Sequence, residues 1–310
     1  MGKILCICVT LLFFNQLEAQ FNFEYSNEIS VKVGMDTLKL PWAGGLNYAQ
    51  FSDFDYDFDG DLDLFVFDRS SNNIRVFSNE VVNSENRYVL KTKTDNSFPS
   101  DIRYRATMVD YNNDGKKDLF TYGVGGIKVY KNTGSLSTGL QWEVAEELLY
   151  SDNWGMNLNL YVSSADIPAI IDVDFDGDID VLTFHIGGEH MQYHQNQSME
   201  LYGIPDSLEF KLMNECWGGF REDINTSSLY LNDPNSPCIT GNIPGAELPE
   251  GPNSSDKKPT TVEPKHSGST VLALDYDNSG VMDLVLGDVS FNNLNLLLNG
   301  GTAPNTNSMM

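Results

Sequence analysis

The run Asp55-Tyr56-Asp57-Phe58-Asp59-Gly60-Asp61-Leu62-Asp63 places a carboxylate at every second residue and a glycine at the sixth. Five aspartates this close repel one another unless a cation sits among them. A hard divalent ion suits them best, because Ca²⁺ takes about 6–8 oxygen ligands at roughly 2.3–2.6 Å and tolerates irregular geometry. Alternate residues of a tight loop point to one side, so positions 1, 3 and 5 converge while Gly60 permits the sharp turn. A backbone carbonyl at position 7 and the carboxylate at position 9 complete the shell.

The pattern occurs four times. Asp55, Asp57, Asp59, Gly60 and Asp63 are followed by Asp110, Asn112, Asp114, Gly115 and Asp118, and then by Asp172, Asp174, Asp176, Gly177 and Asp180. The fourth copy, Asp275, Asp277, Ser279, Gly280 and Asp283, has a hydroxyl at position 5 and so one charge fewer than the first and third. Weaker binding is expected there. An EF-hand opens in the same way but needs a Glu at position 12 and flanking helices. Position 12 is Val66, Thr121, Thr183 and Leu286, and the flanks are β-prone, which excludes that reading.

The elements that hold these loops are also repeated. Each loop leads into an apolar run, Leu64 to Phe67, Leu119 to Tyr122, Val181 to Phe184 and Leu284 to Leu286. A second β-prone run ends on an asparagine each time, and Asp55 to Asn79 is 24 residues, Asp110 to Asn132 is 22, Asp172 to Asn196 is 24 and Asp275 to Asn299 is 24. Asp55 to Asp110 is 55 residues, Asp110 to Asp172 is 62 and Asp172 to Asp275 is 103. A repeat of this length with several short strands fits a propeller blade, a small antiparallel sheet packed on its neighbours. The long last interval predicts an insertion over residues 201–267, Pro-, Gly- and Ser-rich from Gly241 onward.

These residues resemble the FG-GAP (VCBS-type) repeat of the integrin α-subunit β-propeller and of many secreted bacterial proteins. The resemblance covers about Gln50 to Asn196 and Gly268 to Asn299. It implies an all-β propeller in which each loop joins two strands of a blade and binds structural Ca²⁺. Carried over by position, the first site would use Asp55, Asp57, Asp59 and Asp63, with the carbonyl of Asp61; the second Asp110, Asn112, Asp114 and Asp118, with that of Lys116. The third would use Asp172, Asp174, Asp176 and Asp180, with the carbonyl of Asp178, and the fourth Asp275, Asp277, Ser279 and Asp283. Family propellers commonly have seven blades. With four recognisable copies, ring closure is left open, and an incomplete ring is the expectation.

The remaining sequence bounds the function. Met1 to Ala19 carries Lys3, an apolar run from Ile4 to Phe14 and a small residue before Gln20. This reads as a secretory signal peptide, too short to span a membrane. Its removal leaves residues 20–200 with three loops, the insertion at 201–267 and a further blade at 268–310. Cys216 and Cys238 become the only cysteines, and an exported pair is most simply a disulfide, the alternative being two buried thiols.

A formal charge of −25, from 19 Lys and Arg against 44 Asp and Glu, argues against nucleic acid and anionic membranes as partners. His185, His190 and His194 lie close in sequence, but Gly187-Gly188 reads as a turn between strands, so a helical zinc motif is not expected. No Gly-x-Ser-x-Gly elbow is present, and Gly123-Val124-Gly125-Gly126 reads as a hairpin turn. The expectation is a secreted or cell-surface calcium-binding propeller. It would serve as a binding or adhesion module for a protein or carbohydrate ligand and would not be an enzyme. The alternative is an accessory or scaffold propeller of a secreted polysaccharide-acting hydrolase or lyase.

Overall fold

The computed structural model describes residues 26, 29–91, 97–223, 225–231, 269–304 and 310. The signal segment with Cys6 and Cys8, the stretch from Gly241 to Ser267 with His266, and Cys238 lie outside the described residues. Two compact units are present, Met1–Trp42 and Ala43–Met310. In the first, β1 (Lys32–Val33) and β2 (Asp36–Thr37) form a small hairpin, and the Trp42 indole donates to the Ile29 carbonyl at 2.7 Å.

The second unit is a four-bladed β-propeller whose blades are the four sequence repeats. Blade one comprises β3 (Ala49–Phe54), β4 (Asp63–Asp68), β5 (Asn73–Val82) and β6 (Glu85–Lys91), antiparallel and in chain order. Blade two repeats this with β7 (Ala106–Val109), β8 (Asp118–Gly123), β9 (Gly126–Asn132) and β10 (Trp142–Glu146). A hairpin follows, β11 (Tyr150–Asn153) with β12 (Met156–Asn159).

Blade three contains β13 (Ala169–Ile171), β14 (Asp180–Phe184), β15 (Met191–Asn196) and, after the short helix α1 (Ser198–Tyr202), β16 (Phe210–Asn214). β11 joins its outer edge parallel to β16, making six strands. β17 (Phe220–Glu222) and β18 (Leu229–Leu231) pair separately. Blade four has three described strands, β19 (Ser269–Leu274), β20 (Asp283–Asp288) and β21 (Leu294–Leu297). The insertion expected from residue 201 thus contributes the end of α1 and β16 to blade three. Phe210, Leu212 and Asn214 are buried and alternate with exposed Lys211 and Met213, the period of a half-buried strand.

Alternation explains how blades stack, since the two faces of each strand pack against different neighbours. Phe54, Phe65, Phe67 and Val76 of blade one pack with Met108 and Leu119 of blade two. Phe98 lies between, tilted against Phe65 at 5.6 Å and stacked on Trp142 at 5.9 Å. Phe120, Ile127 and Val129 meet Val181 and Phe210, and Leu182, Phe184 and Tyr193 meet Val271, Leu284 and Leu286. Each fully buried aliphatic or Phe side chain contributes about 1.5–3 kcal/mol, so these inter-blade layers dominate the stability of the ring.

The centre is tied by two arginines that sequence reading did not single out. Arg105, 3% exposed, donates to the carbonyls of Ser163 at 2.6 Å and Asp166 at 3.2 Å, and also to that of Gly126. Arg69, from the turn after β4, reaches the carbonyls of Ser164 at 3.1 Å and Ala165 at 2.8 Å. The Asp166 carboxylate accepts the Ser269 amide at 2.9 Å, and Ile167 forms a parallel bridge with Thr270. Blades one, two and four are thereby fastened to one connector, Ser163 to Ile167.

Candidate metal centre

Each acidic loop joins the first and second strands of its blade. The innermost paired residues are Phe54 with Asp63, Val109 with Asp118, Ile171 with Asp180 and Leu274 with Asp283, so position 9 is always the first residue of the second strand. That Asp is buried in every blade and accepts two backbone amides. Position 2 donates to one oxygen, Tyr56 at 2.7, Tyr111 at 3.2, Val173 at 2.9 and Tyr276 at 2.9 Å. The closing asparagine donates to the other, Asn79 at 2.7, Asn132 at 2.8, Asn196 at 2.8 and Asn299 at 2.7 Å. The near-constant offset from loop to asparagine is the length of this clasp.

Position 1 organises the turn. Asp55 accepts the amides of Asp59 at 3.2 and Gly60 at 3.0 Å, Asp110 those of Asp114 at 3.2 and Gly115 at 2.9 Å, and Asp172 those of Asp176 at 3.2 and Gly177 at 3.0 Å. In blade four Asp275 accepts Ser279 at 2.8 and Gly280 at 2.9 Å. The position 6 glycines have φ of +94, +85, +107 and +85°, as the turn requires. Position 4 is left-handed too, at Phe58 (61°), Asn113 (52°), Phe175 (58°) and Asn278 (58°). Asn tolerates this conformation, whereas a Phe there is strained.

In three loops the ligand atoms of positions 1, 3 and 9 lie within 4.8 Å of one another: Asp55, Asp57 and Asp63; Asp172, Asp174 and Asp180; Asp275, Asp277 and Asp283. Asp59 stands outside these groups and accepts the Asp61 amide at 3.0 Å. In the second loop Asn112 takes position 3, and the Lys116 ammonium lies 3.7 Å from Asp114.

The position 3 carboxylates carry the test of fit. Ser78, one residue before the closing asparagine, donates to Asp57 Oδ2 at 3.2 Å, and Gln195, at the equivalent place, donates to Asp174 Oδ2 at 2.5 Å. Tyr193 also donates to Asp174 Oδ2 at 3.1 Å. The second oxygen of each, Asp57 Oδ1 and Asp174 Oδ1, is buried without a hydrogen-bond partner among the described residues. One oxygen is anchored and the other is left for a ligand the protein does not supply. Burying such an acceptor costs free energy unless a cation completes it.

The protonation tendencies agree. Burial, with the neighbouring carboxylates adding to it, pushes Asp118 up to about 6, Asp178 to about 7 and Asp180 to about 9 against the backbone amides that favour their anions. Without a cation Asp180 keeps at neutral pH a proton that a metal would displace.

The three histidines do not converge, and no group of potential metal ligands among the described residues includes a histidine. His194 is buried with Nδ1 2.8 Å from the Ser151 hydroxyl, His185 Nδ1 accepts the Gly187 amide, and His190 Nδ1 lies 3.4 Å from the Phe220 carbonyl. Cys216 is buried and disulfide-bonded, and the partner expected for it, Cys238, lies outside the described residues. Among the groups sequence reading missed are the αL residues at position 4 and Glu200 of α1, which lies with Asp174 and Asp176 in a further acidic group. Position 4 carried a partial signal, because Asn113 and Asn278 are residues that favour this conformation.

Fold and loops together define a β-propeller with an acidic, cation-suited loop on its blades. Residues 55–121, from the start of the first loop to the strand after the second, match the family model of the FG-GAP-like repeat. That match and the four-blade arrangement support an FG-GAP repeat propeller. Comparison with curated proteins gave no match.

Proposed function

We propose that this is an exported, calcium-binding propeller that serves as a binding or adhesion module, with calcium in a structural role and no catalytic activity of its own. The observation that carries the calcium reading is the pair Asp57 Oδ1 and Asp174 Oδ1, each buried and unpartnered beside a converging position 1 and position 9 carboxylate. All-oxygen donors without Cys or His favour Ca²⁺ over softer metals. The residues that would hold it are Asp55, Asp57, Asp59 and Asp63, then Asp110, Asn112, Asp114 and Asp118, then Asp172, Asp174, Asp176 and Asp180, with Asp275, Asp277, Ser279 and Asp283 as the weaker set. Bound calcium supplies charge neutralisation; the chain's own part is to fix each turn through positions 1 and 9.

Export is supported by the apolar leader Met1 to Ala19. No described helix is long and apolar enough to cross a membrane. A cavity at the end of the ring opposite the loops, between blades one and four, is lined by Tyr48, Arg69, Thr270, Asp288, Phe291 and Asn292. Its aromatic and amide groups suit recognition of a polar ligand such as a protein loop or a glycan. Glycan-array and cell-binding assays with wild type and Tyr48→Ala test this part. Saturable binding weakened by the variant supports a binding module; turnover of a polysaccharide by the purified protein would replace it with the enzyme reading.

A further inference from the structure

The geometry points to a track for an acidic oligosaccharide across the end of the ring opposite the acidic loops, running from blade four over blade one to blade two. Its parts are Phe291, Tyr48, Arg69, Tyr104, Arg103 and Tyr122. Carboxylates or sulfates of the ligand meet the guanidiniums, and its sugar rings lie on the aromatic side chains. The inference deepens the reading of this end as a binding surface and rests on it.

A chain of contacts makes the track continuous. Phe291, Tyr48 and Arg69 line one cavity of about 380 Å³. The Arg69 amide donates to the Tyr48 carbonyl at 3.4 Å, and the Arg69 side chain donates through Nε to the Tyr104 carbonyl. The Tyr104 ring meets the Tyr122 ring edge-on at 4.8 Å, and the Arg103 guanidinium sits over them at 5.9 and 5.6 Å. Aromatic and cationic groups thus alternate from blade four to blade two.

Backbone conformation marks the two central tyrosines. Tyr48 and Tyr104 stand just ahead of β3 and β7, the first strands of their blades, and both are left-handed, at φ 54 and 64°. A bulky side chain resists that conformation, and residues held in it gather at ligand clamps. Neither ring is held there by the core, since Tyr48 is 70% and Tyr104 42% exposed. The backbone of Tyr104 is instead pinned from both sides, its amide by Asn72 Oδ1 at 2.8 Å and its carbonyl by Arg69.

The arginines keep donors open. Arg69 engages the carbonyls of Tyr104, Ser164 and Ala165 through Nε and Nη2, and its Nη1 has no hydrogen-bond partner among the described residues. Arg103 is exposed, and no ion pair among the described residues reaches it or Arg69. Neighbouring acids are engaged elsewhere: Asp68 by the Ser70 and Ser71 hydroxyls, Asp101 by the Lys128 ammonium at 3.1 Å and the Tyr130 hydroxyl, and Asp166 by the Ser269 amide. A planar guanidinium with open donors takes a carboxylate or sulfate in bidentate fashion. Asp288, on the blade four side of the cavity, directs the anion toward Arg69 and Arg103.

The net charge of −25 does not oppose this ligand. The six-residue strands β4 and β8 put about 20 Å between the loops and the track, more than twice the screening length of about 8 Å at physiological salt. An acidic peptide would draw its hold from a sheet edge. The track is made of turns and strand ends, and ring faces set between cations suit sugar rings bearing acid groups.

Calorimetric titration of the full chain in saturating calcium tests this, with hexagalacturonate, a heparin-derived hexasaccharide, uncharged cellohexaose and a hexaglutamate peptide as probes. An acidic sugar should bind, more weakly as salt rises, and cellohexaose at least about tenfold more weakly. Which acidic sugar binds separates carboxylate from sulfate ligands. Arg103→Gln should lose about tenfold in affinity at an unchanged melting temperature, and Arg103→Lys should recover only part of it, because an ammonium keeps the charge without the fork. Cellohexaose or hexaglutamate bound as tightly as the acidic sugars, or full affinity in Arg103→Gln, would overturn the track. So would a wild-type protein that binds neither acidic sugar; cell binding lost in Tyr48→Ala would then leave the binding module standing, and absence of cell binding as well would remove both.

Discussion

The Asn79 amide donates to Asp63 Oδ1 at 2.7 Å, joining the end of an acidic loop to the third strand of the same blade across a gap of 16 residues. With the Tyr56 amide on Oδ2 at 2.7 Å, the Asp63 carboxylate is a backbone clasp before it is a ligand. The same clasp stands in all four blades, so position 9 contributes to folding with or without an ion.

Asp63→Ala should therefore destabilise the protein even in excess chelator. Two amides lose their acceptor, one of them beside a buried strand, and each unsatisfied group costs about 1–3 kcal/mol. Chemical denaturation in chelator should show a loss of roughly 2–4 kcal/mol. A loss seen only with calcium present would make Asp63 a ligand alone.

Phe175, 47% exposed at φ 58°, is the cheapest place to gain stability. Phe175→Asn should stabilise the decalcified protein by about 1 kcal/mol, because Asn accepts the left-handed conformation that Phe resists. Phe58→Asn should gain less, since the Phe58 ring packs so closely on Gly134 that a Cβ there would meet it at 2.6 Å. Equilibrium denaturation of both variants checks the order.

The pH dependence due to the buried aspartates should be removed by calcium. In the decalcified protein Asp178 and Asp180, raised by burial to about 7 and about 9, keep protons that the unfolded chain has released. Their contribution is fully present below the unfolded carboxylate range and is lost as pH rises through 7 to 9, so stability should fall over that window. With saturating calcium the carboxylates stay ionised and this loss should vanish. His194 acts the other way: burial lowers it to about 3, so its contribution is lost as pH falls from about 6.5. Melting curves between pH 7 and 9.5 isolate the aspartates.

Arg105→Met should cost about 3 kcal/mol or more, because hydrogen bonds from a charged donor are worth about 1.5–3 kcal/mol each and those to the Asp166 and Gly126 carbonyls are buried. Arg69→Met, from a partly exposed group, should cost less. Urea midpoints at constant m-value measure both.

Much of this was legible in local pattern. The spacing of the loops gave the blades, and the offset from Asp172 to Asn196 marked a clasp whose partners only the structure supplied. Long-range features left no such trace. Arg105 meets Ser163 and Asp166 through a separation that no periodicity encodes, and Glu200 reaches Asp176 only because α1 turns back after Asn196. β16 was readable from its alternation, but the broken repeat beyond Asn196 obscured it. At position 5, Asp59 accepts the Asp61 amide through one oxygen, since a tight turn offers its own donors to whichever carboxylate is nearest.

The most direct measurement is the melting temperature at rising free calcium and in excess chelator, for wild type, Asp57→Ala, Asp174→Ala and Asp277→Ala. Binding to the folded state alone stabilises by RT ln(1 + [L]/Kd), so the wild-type value should climb with calcium concentration. Asp57→Ala and Asp174→Ala should lose more of that gain than Asp277→Ala. Equal melting in chelator and in abundant calcium would contradict the calcium reading of the loops.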